Sequence, residues 1–414
     1  MKQSEKRLEL MAPAGSWEAL QAAINSGADS IYFGVDQLNM RAKGSINFTV
    51  EDLKEIADRC NAAGVKTYLT LNTIIYDHDL SIIKRIINTV KEVGITSVIA
   101  ADHAVIQYAF SQGVDVHIST QLNITNVETV KFYAMFANVM VLSRELSLRQ
   151  IKLIVDEVEK QGITGPNGEI VRIEVFGHGA LCMAVSGKCY LSLHTANSSA
   201  NRGACVQNCR RKYTVKDEDG NELMIDNEYI MSPKDLCTID FLDQMIDAGV
   251  QVLKIEGRGR APEYVSTVIR AYREAIDSYY DGSYSPEKVE GWMDQLHKVY
   301  NRGFWGGYLL GQKLGEWTEG HGSQATQKKV FLGKVDHYYT KAGVGQVRME
   351  AQSVKKGDKI LITGPTTGVV EMELDTIKVD DKDVDKAVKG DLFTFPITEK
   401  LRPSDKFYKL VESK

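Results

Sequence analysis

The sequence predicts an α/β chain: a TIM-like (β/α)8 barrel with a Cys-rich insertion, followed by a small C-terminal antiparallel β-barrel domain. Three observations predict it. Short, continuously apolar runs recur eight times, each followed by residues at helical spacing, as parallel strands covered on both faces require. The connection from Gly177 to Gln251 is much longer than the others and rich in Cys, Gly, Ser and Asn, and a connection that long is usually functional. After about Gln324 the texture changes to alternating apolar segments separated by turn signals. The expected division is a barrel over 1–325, with a special segment at 174–240, and a β domain over 326–414.

The eight expected strands are Leu8–Pro13, Ser30–Gly34, Thr67–Asn72, Ser97–Ala100, Val116–Thr120, Val139–Ser143, Ile173–Gly177 and Val252–Glu256. Between them, Val50–Ala63 follows Thr49, with Asp52 placed for a capping box. Leu80–Val93 carries Ile82, Ile83, Ile86, Ile87 and Val90 at helical spacing and ends at Gly94, a helix-stopping residue. Leu148–Lys160 follows Ser147, and Pro262–Tyr280 opens with proline in its first turn. In the C-terminal part, strands are expected at Val330–Val335, Val344–Glu350, Lys359–Thr363, Val369–Leu374 and Asp391–Pro396.

Hydrophobic residues make up 43% of the 414, enough for a sizeable core, and the formal net charge is −5. Bulk charge therefore does not attract polyanions, and a nucleic-acid partner needs a local basic patch. The start, MKQSEKRLELMAPAGSW, has no apolar signal core, and no run is long enough to span a membrane. The expected location is the cytoplasm, where the six cysteines stay reduced and serve as free thiols, metal ligands or catalytic groups.

In a TIM barrel the chemistry sits where strands end. Those ends supply Asn72, Gln121, Arg144, Glu256 and Arg258, with Arg41 following the second strand and Arg260 close by. Guanidinium groups converging there would bind carboxylate or phosphate through paired hydrogen bonds, although each arginine taken alone fits a surface ion pair equally well. His178 follows the seventh strand and is a candidate acid–base group, with a structural hydrogen bond as the alternative.

Cys182, Cys189, Cys205 and Cys209 are spaced C-x6-C-x15-C-x3-C, and Cys237 follows in Ser-Pro-Lys-Asp-Leu-Cys. Thiols gathered in one loop-rich segment of a reduced compartment point to a metal. An iron–sulfur centre, a zinc site and uncommitted thiols all remain open on spacing alone. Cys182 as a nucleophile beside His178 is a further reading, without an evident oxyanion hole. The run Arg210-Arg211-Lys212-Tyr213 is a candidate phosphate contact, or a solvated turn.

The stretch Glu174-Val-Phe-Gly-His-Gly-Ala-Leu-Cys182-Met-Ala-Val-Ser-Gly-Lys-Cys189-Tyr-Leu-Ser192 resembles the signature of the peptidase U32 family. The likeness continues through Leu10–Gly15, Ser119–Gln121, Asn201–Arg210, Ser232–Leu236 and Leu253–Arg258, and so covers most of the chain. The family takes its name from a collagenase-like activity, and several members are oxygen-independent hydroxylases. Length and the trailing β domain favour the branch that makes 5-hydroxyuridine at the tRNA wobble position with prephenate as apparent hydroxyl donor. The resemblance implies a 4Fe–4S cluster on Cys182, Cys189, Cys205 and a fourth ligand, with Cys209 favoured over Cys237. It further implies that Arg41, Arg144 and Arg258 hold a small dicarboxylate co-substrate and that His178 or Glu174 assists the chemistry. Arg210, Arg211, Lys212 and the β domain would grip tRNA, and a partner protein could donate electrons. Two rival expectations are a peptidase and a non-catalytic RNA-binding factor clipped by its cluster.

Overall fold

A computed structural model describes residues 7–413 except 37, 43–46, 215, 217, 221–228, 230, 313 and 321. The outermost residues of the N-terminal reading, 1–6, lie outside the described residues.

Eight parallel strands close into a barrel. They are β1 (Glu9–Pro13), β2 (Ser30–Phe33), β3 (Lys66–Leu71), β4 (Ser97–Ala100), β5 (Asp115–Ile118), β6 (Val139–Val141), β7 (Arg172–Gly179) and, after the insertion and its short strand β8 (Asp235–Cys237), β9 (Val252–Ile255). Each pairs with the next, β7 pairs with β9, and β9 returns to β1. All eight expected barrel strands are present, within about two residues at their ends. β8 runs antiparallel to the tip of β7, and β10 (Phe304–Trp305) extends it on the outer side.

The surrounding helices are α1 (Trp17–Asn25), α2 (Leu53–Ala62), α3 (Leu80–Val93), α4 (His103–Ser111), α5 (Val127–Tyr133) and α6 (Leu148–Gln161). The insertion carries α7 (Leu191–Ala196) and α8 (Leu242–Asp247), and α9 (Pro262–Tyr280) and α10 (Pro286–Lys298) complete the layer. Their starts follow from local chemistry. Ser16, Asp102 and Asn126 each accept a first-turn backbone N–H, and Ser147 with Gln150 forms a reciprocal capping box. The expected box at Thr49 is only half made. The Asp52 carboxylate accepts the Thr49 N–H at 2.7 Å, but the helix begins after Asp52, at Leu53, because 50–52 form a turn. α3 stops where Gly94 takes φ 78°, a backbone conformation that side chains resist.

The C-terminal part is an eight-stranded antiparallel sheet. Its strands are β11 (Gln327–Tyr339), β12 (Val344–Met349), β14 (Lys359–Gly364), β15 (Gly368–Glu373), β16 (Lys378–Val379), β17 (Lys382–Asp383), β19 (Leu392–Pro396) and β20 (Lys406–Glu412), and β13 (Ser353–Lys355) pairs separately with β18 (Lys386–Val388). It buries a core of its own around Val347, Ile360, Phe393, Phe395 and Phe407. It packs against the barrel through α1 and α9, where Asn25 of α1 donates to the Thr367 carbonyl (3.2 Å), and Arg59 of α2 donates to that of Pro365 (2.8 Å). Among the described residues, no helix is long and apolar enough to cross a membrane.

Candidate functional site

The barrel lumen is charged, which is unusual for strands that read as apolar. At its floor, Glu9 is held by Lys66 (2.9 Å), Arg172 (2.7 Å) and the Tyr68 hydroxyl (2.6 Å). Midway, Lys254 pairs with Glu174 at 2.8 Å, and both are almost fully buried. His117 Nδ1 stands 3.4 Å from the other Glu174 oxygen, too poorly aimed for a hydrogen bond. Burial alone would raise the Glu174 pKa, but Lys254 and His117 reverse the sign and hold it below the ordinary carboxylate value. Glu174 is therefore a structural counter-ion inside the barrel rather than a group at its mouth.

Above this layer opens a cavity of about 1180 Å³ at the C-terminal ends of the strands. Its inner wall carries Glu256, joined to Arg41 at 2.8 Å and to the Tyr32 hydroxyl at 3.0 Å. Burial would raise Glu256, yet Arg41, Arg144 and Arg258 together pull it down to about 2, so it stays ionised. Arg258, 5% exposed, donates to Asn39 Oδ1 (3.0 Å) and Thr70 Oγ1 (2.8 Å). Arg144 lies flat on the Phe176 ring, 3.7 Å from its centre, and donates one bond to the Ala180 carbonyl at 3.0 Å. Its buried Nε has no partner. Burial lowers its pKa, with Glu256 opposing. On the facing wall Asn72 donates to Gln121 (3.3 Å) and Ser119 (3.4 Å).

Cys182, Cys189, Cys205 and Cys209 all line this same cavity. Burial, then the nearby charges of Cys182, Cys205 and Cys189, raise the Cys209 thiol, while Arg210 opposes them. The four thiols are therefore electrostatic neighbours. Among the described residues, no three Cys, His, Asp or Glu side chains stand as close as the ligands of one metal ion would. Cys237 is elsewhere: it is 3% exposed, lies 3.7 Å from the Met293 sulfur, and burial pushes its thiol up to about 12.

The cysteine segment is pinned to the barrel rim at several points. Arg202 bridges to Asp79 and lies over Tyr76, 4.3 Å from the ring centre, and the Ile74 N–H donates to the Asn201 carbonyl at 3.1 Å. Asn123 donates to the Ser186 carbonyl at 3.1 Å. Ser192 accepts the Val206 N–H at 3.1 Å, which folds the Cys205 loop back onto α7.

Two further sequence-based site expectations, beyond Glu174, do not hold in this geometry. His178 is not at the mouth. The register of β7 against β9 shifts between Phe176 and His178, and this bulge turns the imidazole out of the lumen into a box of Tyr264, Tyr272 and Phe304. Burial, with Arg260 adding, pushes its pKa down to about 3, so it is a neutral packing group. Arg210 is not offered to RNA either. It donates to the Leu181 and Pro233 carbonyls and to Ser232 Oγ, tying the cysteine loop together. Arg211 is exposed, and Lys212 lies near Tyr229, 5.8 Å from the ring centre.

Lys254, Tyr32 and Phe176 also line the site, and the sequence reading passed over them. A signal for Lys254 was present: a lysine inside an apolar strand, two residues before Glu256 and hence on the same face.

A family model described as Peptidase family U32 matches residues 15–319. A protein named "Collagenase" from Porphyromonas gingivalis is 55% identical over 97% of both chains. A tRNA hydroxylation protein of Bacillus subtilis is 30% identical over 97% of this chain and 94% of its own. The 23S rRNA 5-hydroxycytidine synthase of Escherichia coli is 35% identical over 66% of this chain and 40% of its own. With a match that takes in seven of the eight barrel strands and all four cavity cysteines, the chain belongs to peptidase family U32.

Proposed function

We propose that this chain is an iron–sulfur-dependent, oxygen-independent RNA hydroxylase that acts on a wobble uridine of tRNA, with a small dicarboxylate such as prephenate as hydroxyl source. The observation that supports it most is the convergence of four thiols on a cavity that also contains an arginine with an unpartnered nitrogen. Four thiolates lining one cavity are a donor set that a 4Fe–4S cluster takes. A 4Fe–4S cluster on Cys182, Cys189, Cys205 and Cys209 would supply one-electron transfer and a Lewis-acidic iron.

The chain's own residues do the rest. Arg144 lines the cavity against the Phe176 ring, where its guanidinium takes a carboxylate. Arg258 and Arg41 are held in place by Asn39, Thr70 and Glu256, which fixes the positive wall. Asn72 and Gln121 present amide groups to the edge of a base swung out of its stack. Replacing the C5–H of uridine by C–OH withdraws two electrons and a proton from the base, so the reading also requires an external electron acceptor.

A peptidase reading has one observation in its favour, the 55% identical relative named "Collagenase". A cysteine nucleophile at Cys182 would need a base, and His178, the base expected beside it, is enclosed by aromatic rings away from the cavity.

The test is anaerobic purification with iron and sulfide analysis, followed by nucleoside analysis of tRNA from cells carrying either the wild-type gene or Cys182→Ala. Iron and sulfide lost in the variant together with the hydroxylated uridine supports the reading. Full tRNA modification by the Cys182→Ala protein sinks it. Cleavage of collagen by metal-free protein, abolished in the same variant, establishes the peptidase instead.

A further inference from the structure

A second cavity, about 760 Å³, lies where the barrel meets the β sheet. Its wall carries Arg260, Arg270, Lys298, Lys328 and Lys329 against Glu263 and Glu371. Lys329 answers Glu263 at 2.9 Å. Arg270 spends one bond on Ser266 (3.2 Å) and faces Glu371 together with Lys298. Among the described residues, neither Lys298 nor Lys328 has a carboxylate within ion-pair distance, and both are exposed. A positive excess in a concave cleft stands out on a chain whose net charge is −5.

The cleft is not separate from the site. Gly259, Arg260 and Tyr300 line both cavities, and Arg260 lies 3.6 Å from the centre of the Tyr300 ring, a flat cationic and aromatic step between them. A base that enters the mouth leaves its phosphates outside, and the adjoining surface that favours negative charge is this cleft.

We propose that the cleft between barrel and β sheet carries the phosphodiester backbone of the RNA, with Arg270, Lys298 and Lys328 as its contacts and Arg260–Tyr300 as the threshold to the mouth. This rests on the RNA reading above. A nucleic acid is favoured over an acidic polypeptide because the cleft continues into a mouth with base-sized amide contacts at Asn72 and Gln121.

The experiment uses the full-length, cluster-loaded protein and one probe, an unmodified tRNA transcript. Binding is measured from 50 to 200 mM salt for wild type and for the double variant Lys298→Glu, Lys328→Glu. Both side chains are exposed and unpaired, so iron content and circular dichroism should match wild type. The proposal expects affinity to fall on the order of 10–100-fold at low salt and the log–log salt slope to drop by about 2, roughly one per lost phosphate contact. Wild-type binding that survives unchanged in affinity and slope in the variant overturns the cleft assignment and leaves the RNA reading standing. Wild-type protein without any tRNA affinity fells both, and it shows before a variant is made. Poly-glutamate bound by the wild type, lost in the variant and unmatched by tRNA, overturns the proposal in favour of an acidic protein partner.

Discussion

Arg144 is half-buried on the cavity wall, its Nε shielded and without a partner among the described residues. Replacing it by Met keeps the packing on Phe176 and removes the charge. The expected outcome is a roughly 10–100-fold rise in KM for the dicarboxylate, since a hydrogen bond to a charged group contributes about 1.5–3 kcal/mol, with iron content unchanged. Steady-state kinetics against elemental analysis checks it. His178 and Glu256 are among the groups that cost stability in acid. His178 is depressed from 6.5 to about 3, so the stability tied to its neutral form is complete above 6.5 and drains as pH falls through that window. Glu256, depressed from 4.5 to about 2, adds its loss only below 4.5. Thermal melts from pH 7 to 4.5 should fall for wild type and fall less for His178→Gln. Equal slopes in the two would remove His178 from the account. At this scale the sequence displayed the four cavity thiols through their spacing but misplaced His178. A one-residue bulge at Gly177 reverses which way every later side chain of the strand points, and nothing in the local residue pattern announces it.

Each connecting element has a job that a single residue reveals. Gly203 takes φ 81° between the cysteines, and a Cβ there would sit 2.3 Å from the Asn39 carbonyl. Gly203→Ala must push the Cys205 loop off the rim near Arg41, at about 1–3 kcal/mol for overpacking. The expected result is reduced iron binding in a protein whose circular dichroism is unchanged; full loading would show that the loop tolerates the shift. Ser147→Ala, by contrast, removes a capping box at the start of α6 and should cost about 1 kcal/mol in urea unfolding without touching the site. The barrel strands were legible because both of their faces are covered, which leaves continuous apolar runs in the sequence. β20 was not. Lys406–Glu412 is lysine-flanked and half exposed, and it reads as a tail although it pairs with both β11 and β14. The expected start of α2 lies three residues before the observed one, because Thr49 and Asp52 close a turn before the helix rather than its first turn.

The whole chain behaves as two cores joined along α1 and α9. The change in texture after Gln324 showed the second core. The surface that joins the two was not visible, because it is made of ordinary polar residues such as Asn25 and Arg59 that read as solvated helix faces. The four tryptophans, Trp17, Trp292, Trp305 and Trp317, all lie before the β sheet, so their fluorescence reports the barrel alone. Urea unfolding followed by tryptophan emission and by far-ultraviolet circular dichroism should give coincident transitions, as a joined interface requires. Separate midpoints would show that the two cores unfold independently. The strand ladder of the barrel closes from β7 to β9 to β1 without any backbone from the thiol-bearing loop. If the proposed cluster is present, scaffold formation and cluster assembly are thus separable in time. On the cluster reading, an iron-starved cell accumulates a correctly shaped apoprotein, and what threatens that waiting form is oxidation of its exposed Cys182 and Cys205 sulfurs rather than misfolding.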